Sequence, residues 1–236
     1  ISGVVFTGSV EVAQLINRTL AARQGPIAPL IAETGGQNAM IVDSSALPEQ
    51  VIEDAVMSAF RSAGQRCSAM RVMFVQEDIA GRLIEMLSGA VQELKVGDPS
   101  NIETDVGPVI DAEALANLEA HAQKMDRIGT KLCQATLTDE CVNGTFFAPR
   151  AYQIDNLGML EQEVFGPVAH IITYGSNRLD EVIDAVNNSG YGLTLGIHTR
   201  VDATRRYIQE RLRVGNAYVN RNMIGAVVGV QPFGGE

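Results

Sequence analysis

Residues 62–69 read Ser62-Ala63-Gly64-Gln65-Arg66-Cys67-Ser68-Ala69, and they stand where one regular pattern stops and another starts. Upstream, Pro48 suits a first helical turn, and Glu49, Glu53 and Asp54 favour the positive end of a helix. Val51, Ile52, Ala55, Val56, Ala59 and Phe60 fall on one apolar stripe, so the spacing predicts a helix over 48–63, stopped by Gly64. A β-like run follows at 71–75. A thiol at such a helix-to-strand junction is fixed in place yet free to face a cleft. The thiolate, not the thiol, is the nucleophile, so Cys67 needs a group that takes or stabilises the loss of its proton. The candidate is Glu33, in Ala32-Glu33-Thr34-Gly35-Gly36-Gln37-Asn38, where two glycines let backbone approach backbone.

Singly, these signals are weak. A lone cysteine is usually a small buried hydrophobe, and a glutamate beside Gly-Gly is usually a solvated turn. Both sit at element junctions, where loops carry function, and that co-occurrence favours catalysis.

Working outward, 4–6 reads as a short strand, Thr7-Gly8-Ser9 as a turn, and 10–23 as a helix. Such a turn offers free backbone N–H groups and a helix dipole to an anion, although on the residues alone an ordinary turn is the favoured reading. Strands are predicted at 27–32, 39–42, 71–75, 131–137, 146–154, 169–174, 192–198 and 215–220. Further helices are predicted at 78–94, 111–127, 179–188 and 202–212, the last with Asp202 as N-cap. Cys133 falls in a strand and reads as structural, and Met86 and Met125 read as core filler. Helices alternating with strands make an α/β protein with a mostly parallel sheet. Glu163-Val164-Phe165-Gly166-Pro167-Val168 is a loop entering a strand, with a carboxylate able to accept from hydroxyls and an aromatic able to hold a ring. Residues 221–235 are glycine-rich without a helical pattern, and a loop of that length is functional or mobile.

Apolar content of 46% suffices for a real core, while a formal charge of −10 argues against nucleic acid as partner. No run of 18 apolar residues suggests a membrane span. Three cysteines, Cys67, Cys133 and Cys141, fit a reducing cytoplasm better than a disulfide framework. Neither they nor His121, His170 and His198 show metal-ligand spacing, so no metal is expected. The chain opens inside a strand and stops in a turn, and we expect a segment of a longer protein.

Glu33-Thr34-Gly35-Gly36 followed by Gly64-Gln65-Arg66-Cys67 resembles the acid and thiol motifs of the aldehyde dehydrogenase superfamily. Within it, the likeness is to the delta-1-pyrroline-5-carboxylate (L-glutamate gamma-semialdehyde) dehydrogenases, most narrowly to that domain of the bifunctional proline utilization A family. The resemblance implies an aldehyde dehydrogenase-like fold: the C-terminal part of a Rossmann-type NAD-binding domain (1–33), a catalytic domain (34–229), and the start of a return to the NAD-binding domain (230–236). It implies that Cys67 attacks the aldehyde to give a thiohemiacetal, that hydride passes to NAD, and that Glu33 activates water against the resulting thioester. Gly8, Ser9, Gly35, Glu163 and Phe165 would then contact NAD. Ser68, Gly225 and Ala226, in Ile224-Gly225-Ala226-Val227-Val228-Gly229, would bind the carboxylate of glutamate semialdehyde, with Phe233 as a wall. The Cys67 backbone N–H would be one oxyanion donor, and the asparagine supplying the other would precede this chain. The resemblance further implies a fused proline dehydrogenase domain and a homo-oligomer. Two other readings remain open on the residues alone: a cysteine hydrolase or acyltransferase without nicotinamide, which usually needs a histidine, and a non-catalytic scaffold, which three co-occurring motifs disfavour.

Overall fold

A computed structural model describes residues 1–227 and 229–235. The chain runs β1 (Val4–Thr7), α1 (Val10–Ala21), β2 (Leu30–Glu33), β3 (Ala39–Val42), α2 (Pro48–Phe60), β4 (Val72–Gln76) and α3 (Glu77–Gln92). It continues with α4 (Ala112–Ile128), β5 (Thr130–Gln134), β6 (Arg150–Gln153), β7 (Val168–Tyr174), α5 (Leu179–Asn187), β8 (Thr194–His198), α6 (Asp202–Arg211) and β9 (Asn216–Val219). β1 and β2 pair in parallel as a small sheet of their own. The other seven strands form one sheet in the order β5-β6-β7-β4-β3-β8-β9, parallel throughout except for the antiparallel β5–β6 edge. This is the α/β, mostly parallel architecture the pattern predicts.

The central strands are apolar without alternation because helices cover a parallel sheet on both faces. Met40, Ile41 and Val42 of β3, Val72, Met73 and Val75 of β4, and Ile171 of β7 are all excluded from solvent. On α3, Leu83, Leu87 and Val91 face this core. Each such side chain stabilises the fold by about 1.5–3 kcal/mol relative to an exposed one. Met125 is buried, Met86 packs against the same core, and Cys133 is buried beside them.

Two predicted boundaries fail for local reasons. The helix over 48–63 ends at Phe60, because Ser62 (φ 54°), Ala63 (φ 53°) and Gly64 (φ 62°) lie in the left-handed region. Only Gly64 does so without steric cost; for the other two the conformation costs on the order of 1–3 kcal/mol each. The tight turn is closed by the Gln65 N–H donating to the Ser62 carbonyl at 3.0 Å. Asp202 is not the N-cap of α6: that position is Val201, and Asp202 stands one residue inside the helix. Its carboxylate is taken by Arg205 at 2.6 Å and Arg206 at 2.7 Å on the following turn. Strand ends also shorten beside prolines, which lack an N–H for the ladder. β2 begins after Pro29, and β6 begins after Pro149.

The left-handed turn generates a paired prediction. A Cβ at Gly64 would stand 2.2 Å from the Gly166 carbonyl oxygen and 2.8 Å from that of Ala59, so Gly64→Ala should lower the thermal midpoint. Gly81 and Gly89, inside α3, meet nothing within 4 Å, and alanine there should stabilise by about 0.5–1 kcal/mol. Calorimetry on the three variants checks both signs; an unchanged midpoint for Gly64→Ala would contradict the assigned backbone.

Candidate active site

The site is built from the ends of strands. Thr7 closes β1 with Gly8 and Ser9 after it, and Glu33 closes β2, so both contribute carboxyl ends. The large sheet contributes the opposite ends: residues 34–38 precede β3, 61–71 precede β4, 160–167 precede β7, and 188–193 precede β8. Between the two sets lies a cavity of about 940 Å³. Cys67, Glu33, Gly8, Ser9, Gly35, Glu163, Phe165, Ser68, Ala226 and Phe233 all line it. Gly225 does not: it is set back against Arg221 and Asn222, while its neighbours Ile224 and Ala226 face the space. Val228 of the same loop and Glu236 lie outside the described residues.

Ser9 caps α1, its hydroxyl accepting from the Val12 N–H at 3.4 Å, and the remaining free N–H groups of that first turn border the cavity. The Gly8 N–H donates to the Glu33 carbonyl at 3.2 Å, tying the turn to the end of β2. Gly35 is required by space. A Cβ there would stand 1.7 Å from Glu163 Oε2, so the carboxylate lies across the bare backbone of Gly35. Gly234 passes close to Glu33, 3.0 Å separating its built Cβ from Oε1, and Asn216 Nδ2 donates to the Gly234 carbonyl at 3.0 Å.

Cys67 is half-buried and free. Burial pushes its thiol up; the Ser68 and Cys67 backbone N–H groups pull the other way, and the charges of Glu163 and Glu33 push it further up. Glu163 is itself raised by burial, against the Arg71 guanidinium and the Gly36 N–H that favour its charge. Ser68 is buried, and its carbonyl accepts from Thr194 Oγ1 at 3.1 Å.

The sequence reading missed the residues that hold these groups in place. Asn38 Nδ2 donates to the carbonyls of Cys67 at 2.6 Å and Ala69 at 2.9 Å, while its Oδ1 accepts from the Thr194 N–H at 3.1 Å. Arg71, fully buried, reaches both the Cys67 loop and the Glu163 loop. Gln65 Oε1 accepts from the Ile110 N–H at 2.8 Å, and Arg66 Nη1 donates to the Ile224 carbonyl at 3.3 Å. A signal for Arg71 was available: it is the one charge in the otherwise apolar run 69–75, and a charge buried among apolar residues must be paired. No histidine lines the cavity. His121 borders a second space of about 510 Å³ behind residues 159–165 and meets His170, Nε2 to Nε2, at 2.9 Å. Among the described residues no three His, Cys, Asp or Glu side chains form a metal-ligand set, and no helix is long and apolar enough to cross a membrane.

A half-buried thiol and two carboxylates thus face one cavity beside a capped helix start. The chain belongs to the aldehyde dehydrogenase family, whose model matches residues 1–236. More particularly, it is 54% identical to the bifunctional protein PutA of Escherichia coli K12, over all of this chain and 18% of that protein. A solved Bradyrhizobium japonicum proline utilization A variant superposes with a TM-score of 0.97 at 57% identity, covering all of this chain and 24% of that one. A 1-pyrroline-5-carboxylate dehydrogenase from Thermus, solved with bound NAD, gives a TM-score of 0.92 at 30% identity, covering all of this chain and 46% of that one. The chain therefore spans about a fifth to a half of these relatives' lengths.

The electrostatics predict an order of thiol reactivity. Iodoacetamide should alkylate Cys67 before Cys133 and Cys141, which are 5% and 6% exposed. The pH midpoint for Cys67 should lie above a thiol's ordinary range, and Glu163→Gln should lower it, because removing a negative neighbour favours the thiolate. Peptide mapping across a pH series decides; a Cys67 midpoint below the ordinary range would contradict this site.

Proposed function

We propose that this chain is a segment of an NAD-dependent L-glutamate gamma-semialdehyde dehydrogenase, which oxidises the aldehyde to glutamate as the second step of proline catabolism. The convergence of Cys67, Glu33 and Glu163 on one cavity with the β1–α1 turn carries this reading. The named relatives support the substrate. On the same reading, residues 1–33 are the end of the NAD-binding domain, 34–229 the catalytic domain and 230–236 the return. A fused proline dehydrogenase domain and self-association belong to the full-length polypeptide. Three free cysteines suit a cytoplasmic location.

The residues fit an NAD site. The α1 N-terminus with Gly8 and Ser9 offers N–H donors to a pyrophosphate, Glu163 an acceptor for ribose hydroxyls, and Phe165 a face for the nicotinamide. Gly35 keeps clear the space that Glu163 occupies. Cys67 Sγ adds to the aldehyde carbon, and its backbone N–H donates to the oxygen that becomes negative. When bound, NAD supplies the acceptor for the hydride whose loss leaves a thioester on Cys67. Glu33 then takes a proton from the water that cleaves this thioester, releasing the acid and restoring the thiol. Glu33 also serves to draw the proton from Cys67 at the outset, and some such help is needed, since burial and both carboxylates oppose the thiolate. Ser68, Gly225 and Ala226 are assigned to the substrate carboxylate, Gly225 through its backbone, and Phe233 to the aliphatic chain. A hydrolase using a Cys–His pair is disfavoured because His121 faces the second space and His170 and His198 are buried away from the cavity.

The test is NADH absorbance with the full-length polypeptide, glutamate semialdehyde and NAD. Cys67→Ala should abolish the signal, and Cys133→Ala should leave it nearly unchanged. Glu33→Gln should slow steady turnover by about 10²–10⁴-fold and should slow the initial burst of NADH as well, since thioester cleavage and the deprotonation of Cys67 both lose their base. Thioester hydrolysis without NADH formation would establish the hydrolase instead.

A further inference from the structure

Arg71 stands immediately before β4 and is 1% exposed, yet it carries a charge. Its guanidinium spans two loops that are far apart in sequence. On the nucleophile side, Nη1 donates to the Gly64 carbonyl at 2.7 Å and Nη2 to the Arg66 carbonyl, one residue before Cys67, at 3.2 Å. On the other side, Nη1 donates to the Gly166 carbonyl at 3.1 Å and Nη2 to Glu163 Oε1 at 3.2 Å, with the Phe165 ring centroid 5.1 Å from Cζ. Nε has no partner, so the group is placed for these four acceptors at the expense of its fifth donor. The main chain of Arg71 is equally fixed. Its N–H donates to the Asn38 carbonyl at 2.9 Å, and its carbonyl accepts from the His170 N–H at 2.9 Å and faces His170 Nδ1 at 3.0 Å. A carbonyl can only accept, so His170 carries its proton on Nδ1 and its Nε2 accepts from His121. Burial keeps both rings neutral, His170 held down to about 3 and His121 to about 4.

We propose that Arg71 is a positioning residue: one buried guanidinium clamps the loop of Cys67 to the loop of Glu163 and Phe165, and so sets where the sulfur stands relative to the cofactor-facing carboxylate. The inference rests on the reading of Cys67 as nucleophile and Glu163 as cofactor ligand. A planar fork meets four acceptors on two loops; an ammonium on a flexible stem keeps the charge but not that geometry. A misplacement of about 1 Å in a reacting group can cost about 100-fold in rate.

The experiment compares Arg71→Lys with wild type in the full-length polypeptide, after circular dichroism has verified folding. The expected result is a kcat lower by about 100-fold with little change in KM for NAD, together with an altered pH profile of Cys67 alkylation. A wild-type kcat and alkylation profile in folded Arg71→Lys would overturn the proposal, as would an activity loss matched by the loss of folded protein. Should Arg71→Lys fail to fold, Glu163→Ala removes the charged one of the clamp's two far anchors, the Gly166 carbonyl being the other, and changes no residue of the Cys67 loop. Amide hydrogen exchange over residues 64–69 should then accelerate, and unchanged exchange would overturn the proposal. Alkylation and exchange need no turnover, so failure of the dehydrogenase reading, seen as no NADH from wild type, is separately visible.

Discussion

The arrangement depends on the side chain and carbonyl of Asn38. One residue stands just before β3 and satisfies backbone groups from the Cys67 loop, the start of β4 and the start of β8. Its amide nitrogen holds the Cys67 and Ala69 carbonyls, its amide oxygen takes the Thr194 N–H, and its own carbonyl takes the Arg71 and Val72 N–H groups. All of this happens at 3% exposure, where an unpaired amide would cost about 1–3 kcal/mol. A loop of irregular backbone can be buried beside a sheet only when such a residue meets its polar groups. Cys67 is therefore anchored through its carbonyl without belonging to any helix or strand.

The cavity also follows from the direction of the strands. Parallel strands send all their leading ends to one side, so the segments entering β3, β4, β7 and β8 gather there. β1 and β2 present their trailing ends to the same space. A small sheet and a large one thus meet across a gap, with the acid on one bank and the thiol on the other. The gap gathers two carboxylates, Glu33 and Glu163, around the sulfur of Cys67. Burial first, and these two charges after it, push the Cys67 thiol up and favour its neutral form.

Much of this was legible in the chain. The apolar stripe of α2, the proline at its first turn and the apolar runs of β3 and β4 reflect local sterics and burial, which neighbouring residues encode. The acid, thiol and glycine motifs were legible for a similar reason: each is contiguous. What escaped was non-local. Arg71 and Gly166 are 95 residues apart and Asn38 and Thr194 are 156 apart, so nothing beside Arg71 or Asn38 announces the partner. The left-handed turn at 62–64 escaped because serine and alanine rarely adopt it; the Gln65 N–H bond to Ser62 closes it, and the anchoring of Gly64 by Arg71 and of Cys67 by Asn38 holds its flanks. Asp202 was misread since an aspartate can cap a helix or pair with arginines one turn on, and the choice depends on side-chain rotamers.

The contact between Gly35 and the Glu163 carboxylate couples two separate motifs. A methyl group at position 35 would fall on the carboxylate oxygen, so any side chain there would have to push the acid aside. The bare α-carbon at 35 is thus part of the seat that the acid at 163 occupies.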